Sequence, residues 1–430
     1  LTSNPQDGRK KILLTYIADR LGANQVVLAL SVARLGDAIG NSILFILIPL
    51  YVVKLPAPWF PLPETVLVGI LISLFGLTNS ILQPLMGAVT DRVSRRKPII
   101  QIGLLLMGAG TLAFVFAGRF TDLLLIRALQ GIGVALTIPA SLALMTTATE
   151  KRTRGGAMGI YTTMRMVGFA IGPLLGGFLH VRYGFNAAFF AGAAVIFIGM
   201  ILVQFWVKET PVQIPPDQER PFRIIDPSLL TAGIIGLGIA TFVMASAFSM
   251  MTTLENQFNA RLHETALGFS IAFSALMISR LIFQIPLGRW SDYIGRKPLI
   301  LAGLILMAPA TILLGEVGST LQLTGVRLFQ GLASAGIAAP AFALAADLSK
   351  GGGEGRQMSI ITMGFGLGIA LGPLIAGILA IYSFELPFLI GGLMSLAGAW
   401  IVYRYVPETI HRQDKQAMRS MQQSPAAHQD

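Results

Sequence analysis

The 430-residue chain contains no cysteine, which excludes disulfides, thiolate nucleophiles and cysteine-ligated zinc or iron–sulfur sites. Its four histidines (His180, His263, His411 and His428) are scattered, with no pair at helical spacing, so no metal site follows from them. Charge is also scarce. Charged residues make up 12% of the chain and apolar ones 54%, whereas a soluble protein carries roughly 25% charged residues. So few charges cannot coat a water-facing surface, and lipid is the expected solvent for most of the chain. No nucleophile–base set or phosphate loop is present, which makes an enzyme the least favoured class. Ten-residue alternation is missing too, so the spanning elements are helices rather than barrel strands.

What is present is glycine, basic charge and long apolar runs. There are 47 glycines, a residue more frequent in membrane helices than in soluble ones. The net charge of +11 is unevenly placed. Of 32 Lys and Arg, 23 fall in the termini and alternate loops on one side of the expected membrane, and four (Lys54, Arg119, Arg182, Arg261) in the opposite loops. That bias puts both termini in the cytoplasm of an inner-membrane protein, and makes nucleic acid an unexpected partner. The basic, amphipathic stretch from Arg9 to Arg20 lacks a small-residue cleavage site and reads as an interfacial helix rather than a removable signal.

A span needs about 20 mostly apolar residues to cross a ~30 Å hydrocarbon core. Twelve stretches qualify: 26–53, 64–87, 98–118, 121–146, 155–180, 186–207, 228–254, 264–288, 298–316, 319–347, 356–382 and 385–406. The expected organisation is a cytoplasmic segment over 1–25, a six-helix bundle over 26–207, a polar, proline-rich linker over 208–227, a second bundle over 228–406 and a disordered tail over 407–430.

The two bundles repeat one another. Glu64-Thr65 recurs as Glu264-Thr265, Gln83 through Gly87 as Gln284 through Gly288, and Arg127-Ala128-Leu129-Gln130-Gly131 as Arg327-Leu328-Phe329-Gln330-Gly331. Gly172-Pro173 recurs as Gly372-Pro373 and Lys208-Glu209-Thr210 as Pro407-Glu408-Thr409, all offset by 199 to 201 positions. Two copies of one bundle imply a pseudo-two-fold axis along the membrane normal with a cavity between the halves. The fold class is therefore all-α membrane protein, twelve transmembrane helices in two pseudo-symmetric six-helix bundles.

The loop after the second span reads Gly87-Ala-Val-Thr-Asp91-Arg92-Val-Ser94-Arg95-Arg96-Lys97, and the one after the eighth reads Gly288-Arg-Trp-Ser-Asp292-Tyr293-Ile-Gly295-Arg296-Lys297. Both resemble the G-x-x-x-D-R-x-G-R-[RK] signature of the major facilitator superfamily, and the resemblance runs from about residue 26 to 409. It implies a cytoplasmic latch, in which Asp91 or Asp292 bonds the free N–H groups of a neighbouring helix start. Arg92, Arg95, Arg96 and Arg296 would pair with acids such as Glu150, although these cations also serve simply to fix topology. Ser94 and Tyr293 depart from the signature, and the Tyr293 departure makes the second latch the weaker one by expectation. Gly168, Gly172, Pro173, Gly176 and Gly177 in the fifth span, echoed by Gly368, Gly372 and Pro373 in the eleventh, look like the glycine–proline element of the antiporter branch. That likeness points to efflux; close packing of small residues is the plainer alternative.

Charges inside spans cost about 2.5–3.5 kcal/mol each at the bilayer centre and demand partners or a wet cavity. Arg34 and Asp37 lie one turn apart in the first span. This place is similar to the first-helix pattern of tetracycline-type and multidrug exporters, where an acid takes part in proton coupling or substrate binding. Asp37 is thus the candidate titrating carboxylate, against a static ion pair with Arg34. Arg127, in an R-x-x-Q-G pattern tied by resemblance to proton transfer, would act by biasing a carboxylate, since Arg itself does not deprotonate; its mate Arg327 reads as structural. Arg165 and Arg280 have no repeat mate, and Asn79 stands where the second half has Arg280. These two cations are the expected substrate-facing ones, with an ion pair to Asp37 as the alternative. Met244 and Phe248 in the seventh span would suit an amphiphile, or simply face lipid or pack against other helices.

Five intramembrane arginines against one clear mid-membrane acid favour a substrate with an anionic group. The expected function is a secondary transporter: proton-coupled export or flipping of an amphiphilic compound, with no cofactor beyond the proton gradient, lipids as surroundings and a monomeric chain. Small-anion uptake or exchange is the alternative, and a non-transporting receptor the more distant one.

Overall fold

The computed structural model describes residues 22–56, 61–90, 92–150, 153–209, 231–348 and 354–409. The expected interfacial helix within 1–25, nearly all of the 208–227 linker, most of the 407–430 tail and Asp91 lie outside the described residues. Among those described, twelve helices are long and apolar enough to cross a membrane, and there is no strand. They are α1 (Gln25–Val52), α2 (Glu64–Thr90), α3 (Lys97–Phe116), α4 (Phe120–Ala148), α5 (Arg154–Tyr183), α6 (Phe185–Trp206), α7 (Ala232–Leu262), α8 (Ala266–Ile294), α9 (Arg296–Gly315), α10 (Thr320–Leu348), α11 (Glu354–Leu379) and α12 (Leu386–Tyr405). The Asn24 side chain caps α1 by accepting from the Val27 amide at 2.9 Å, and Thr231 caps α7 in the same way. Phe116 and Leu321 stand about 80% exposed on the outer surface (79% and 82%), an arrangement that lipid solvates and water would penalise.

One span differs from its sequence expectation. The sequence reading ends the seventh span at 254, just before the polar run Glu255-Asn256-Gln257. Instead α7 tightens to a 3₁₀ turn over Met250–Leu254 and resumes as α-helix over Glu255–Leu262. Burial between the halves, not lipid exposure, accommodates the polar residues there.

The halves are built alike. Helix α1 packs on α5 and α6, α2 on α4, and α3 on α4 and α6; α7 packs on α11 and α12, α8 on α10, and α9 on α10 and α12. Between halves, α2 meets α11 and α5 meets α8, a pair of contacts that exchange under a two-fold axis. Individual bonds repeat as well. The Arg96 guanidinium donates to the Ala143 carbonyl (2.9 Å) and Arg296 to that of Ala343, 200 positions on.

The apolar cores fix the shape. At the face opposite the Lys/Arg-rich loops, one core joins both halves, with Leu47, Leu67 and Phe189 from the first and Leu254, Phe269 and Phe388 from the second. Toward the basic-loop face each half has its own core, around Leu104 and Val134 in one and Leu304 and Ile337 in the other. Polar contacts add to the closure of the first face. The Thr65 hydroxyl donates to the Gly377 carbonyl (2.9 Å), and the Asn256 amide donates to the Pro49 carbonyl (2.8 Å) and the Glu64 carboxylate. The molecule is therefore shut at one face, and its halves have separate cores toward the other.

Candidate functional site

Between the halves, four ionisable side chains gather from both repeats. Helix α1 places Arg34 and Asp37 one turn apart, nearly fully buried and paired with each other. Arg165 on α5 lies within electrostatic reach of Arg34, Asp37 and Arg280. Arg165 and Arg280, from opposite halves, both lie against the Phe365 ring of α11, each 5.6 Å from its centroid. Arg165 also rests on Phe169 at 5.5 Å, and Arg34 on Tyr161 at 5.8 Å. The expected Asp37 partner is thus Arg34, which leaves the two unmatched arginines beside aromatic faces.

The polar atoms around this cluster are undersatisfied. Asp37 Oδ1, Arg34 Nε, Arg280 Nε and Asn79 Oδ1 are all buried without a hydrogen-bond partner. Buried polar groups are normally paired, so an arrangement with two half-buried arginines and idle acceptors suits a ligand that brings its own charged and polar atoms. Neither Phe365 nor Tyr161 was identifiable from sequence, because aromatic residues are common in every membrane helix.

Arg127 has a different place. It is fully buried, donates to the Leu71 carbonyl (3.2 Å), Gln130 Oε1 (3.2 Å) and Asn41 Oδ1 (3.4 Å), and stacks on Phe75 at 4.2 Å. Arg327 repeats the pattern with Gln330 (2.8 Å) and the Phe248 carbonyl (3.3 Å). In each half the glutamine then donates to a threonine, Thr111 or Thr311. Among the described contacts Arg127 has no carboxylate partner; it braces α1, α2 and α4, touching α1 one turn beyond Asp37. Met244 is buried in the core of the second half and Phe248 in the core that joins the two halves. Phe248 packs against Phe273 at 5.4 Å.

The glycine elements dock helices. A methyl group on Gly168 would come within 2.8 Å of the Leu35 carbonyl oxygen, and on Gly172 within 2.8 Å of that of Ile39, so α5 lies directly on α1. The Ser42 hydroxyl donates to the Gly168 carbonyl at 3.2 Å across this contact. Gly176 faces Ile43 of α1, whereas Gly177 faces the Ala266 carbonyl of α8 in the other half. Gly372 meets Ser246 of α7, with Pro373 and Gly368 on the same packed helix. Each element therefore fixes an intra-half contact and, one residue further, an inter-half one.

Asp91 lies outside the described residues, so the first loop motif is described only in part. Glu150 is exposed, and its described contacts are backbone ones; Arg92 and Arg95 are exposed as well. The N-terminus of α3 is bonded by Glu209, whose carboxylate accepts from the Arg96 and Lys97 amides (2.6 and 2.9 Å). Glu408 does the same for Lys297 of α9 (2.9 Å). In return, Lys97 and Lys297 donate to carbonyls at the ends of α6 and α12. The acids that satisfy these helix starts are thus the repeated Glu-Thr pairs rather than Asp292, which pairs with Arg296 at 3.5 Å. Arg296 also pairs with Asp347, near the end of α10. The second loop turns at a single residue, Gly295, with φ of 111°, a conformation open to glycine and closed to most residues. Ser94 takes no such conformation, and α2 and α3 stand further apart in sequence.

Comparison with known proteins agrees with this architecture. The model of the Major Facilitator Superfamily matches residues 30–268 and 234–428. Multidrug resistance protein MdtG of Klebsiella pneumoniae (strain 342) is 27% identical over 328 residues, 75% of this chain and 79% of that protein. The synaptic vesicular amine transporter of Bos taurus is 26% identical over 330 residues, 74% of this chain and 62% of that protein. Among solved structures, a bacterial homolog to the human lysosomal transporter Spinster, in an inward-facing and occupied conformation, superposes with a TM-score of 0.73 at 17% identity, covering 93% of this chain and 98% of that one. With the fold, the repeat and the family model in agreement, the chain is a multi-pass membrane transporter, not an enzyme, and belongs to the major facilitator superfamily.

Proposed function

We propose that this transporter works by alternating access, using the proton gradient to export, or flip between leaflets, an amphiphilic compound with an anionic group. The observation that carries the proposal is the placing of Arg165 and Arg280, from opposite halves, against one aromatic ring beside the Arg34–Asp37 pair. An anionic group held by both arginines would link cargo binding to the relative position of the halves. Asp37, with one oxygen idle, is the proton-accepting group of the scheme. The basic-loop face is taken as cytoplasmic from the charge bias, so the shape at hand is shut toward the outside, the shape in which an exporter loads from the cytoplasm. Relatives named for multidrug resistance support the outward direction.

A second reading draws on the sign of the electrostatics. A proton on Asp37 removes the negative charge from a cluster with three arginines, so proton and anion would reinforce one another's binding. That suits their movement in one direction, as in small-anion uptake, whereas a cationic substituent on the cargo would compete with the proton and produce exchange.

Proteoliposomes with imposed proton gradients separate the two. Under the export reading, an anionic fluorescent lipid or drug moves against the proton flow, and Asp37→Asn makes the movement indifferent to the gradient. Movement alongside protons establishes the uptake reading, and movement unaffected by both gradient and substitution removes proton coupling through Asp37.

A further inference from the structure

Glu255 is fully buried, and both its carboxylate oxygens lack a hydrogen-bond partner. The Asn259 side chain faces it from the next turn, short of bonding geometry. The residue begins the second segment of α7, directly after the 3₁₀ turn; such turns within a helix often mark hinges. Its neighbours on either side are anchored differently. The Thr253 hydroxyl donates to the Pro373 carbonyl of α11 (3.0 Å), within the same half. Asn256 reaches across to Pro49 and Glu64 of the other half. Glu255 therefore sits where the shared core must part if this face is to open. In the first repeat, 200 positions earlier, stands Leu55, so symmetry supplies no structural reason for the acid.

No cation accounts for it either. The elements packed around this segment bring Lys54, Glu64, Arg261, His263, Glu264 and Glu385, and the described side chains of α11 include no titratable group. Glu64 accepts from Asn256, Arg261 is bonded to Glu385 at 2.7 Å, and Lys54 lies 4.6 Å from the centre of the Phe185 ring. None of the six forms an ion pair with Glu255 among the described contacts. A carboxyl so buried and unpaired is tolerated as the neutral acid, not as the ion.

We infer that Glu255 is a proton-binding site of the closed face, protonated while the shared core is intact and ionised once that face opens and water reaches it. The inference rests on the alternating-access reading above and assigns a second proton site, separate from Asp37. Its consequence is directional: raising the pH at this face favours opening.

The absence of native cysteine makes the test direct. Val53 and Thr265 are exposed at this face, one in each half, and Val53→Cys with Thr265→Cys accepts a pair of spin labels on the full chain in lipid nanodiscs. The long-distance population should grow with pH, its ratio to the short one approaching about tenfold per pH unit for one proton. Glu255→Gln should flatten this response, whereas Asp37→Asn should retain it. A response in Glu255→Gln equal to that of the parent overturns the inference alone. A parent distribution that never broadens at any pH overturns it together with alternating access. Should Glu255→Gln not be recovered folded, Glu255→Asp must shift the midpoint of the pH response, and an unchanged midpoint overturns the assignment.

Discussion

Arginine serves two purposes here, and substitution separates them. Arg280 is half-buried with an idle Nε, so its removal takes away a charge-assisted bond to cargo, worth about 1.5–3 kcal/mol. Arg280→Ala should weaken binding of an anionic amphiphile roughly tenfold to a hundredfold with little loss of thermal stability, as read by ligand titration and by unfolding in detergent. Arg127→Met should do the reverse. It strands Gln130 and the Leu71 carbonyl, at about 1–3 kcal/mol per buried polar group left unpaired, and should lower the melting temperature while Arg280-dependent binding persists. These charged positions were legible in the sequence because an ion inside an apolar run is costly and conspicuous. The role of Arg127 was not legible, because its partners are a backbone carbonyl and two amide side chains that carry no mark in the chain. Glu255 escaped notice because its polar neighbours read as the end of a span.

Among elements, the glycine faces set how closely helices approach. Gly172→Val would drive a branched side chain into the Ile39 backbone, an overpacking that typically costs about 1–3 kcal/mol. Gly176→Ala comes no nearer than 3.1 Å to Ile43, its side chain first and its Cα at 3.3 Å, and the second repeat already carries Ala376 at that place. The first change should abolish a folded peak in size-exclusion chromatography or shift unfolding sharply, and the second should do neither. The Glu209 and Glu408 caps give a further comparison. Glu209→Gln keeps shape but removes the charge at the α3 N-terminus, and should lower stability by about 0.3–1 kcal/mol, less in high salt. Both acids stood within the repeated Glu-Thr pair, so the sequence held the signal. What it lacked was the distance between the end of α6 and the start of α3, which only packing brings together. The loop signature likewise does not say which carboxylate reaches which helix end.

For the whole molecule, the twelve spans and the two-fold repeat followed from apolar length and from matches at one offset. Which face is closed did not follow, because one sequence must support both closures. Asn256→Ala removes two bonds that join the halves and should raise the reactivity of a cysteine placed at Thr65 toward a water-soluble thiol reagent. Unchanged reactivity would assign closure to the apolar core alone. That core has a further effect on the working cycle. Parting it wets Leu47, Leu254 and Phe269, and closure of the opposite face must offset that cost. Under the proposed export cycle that wetting falls on the outward stroke, so the proton gradient has an apolar barrier to work against.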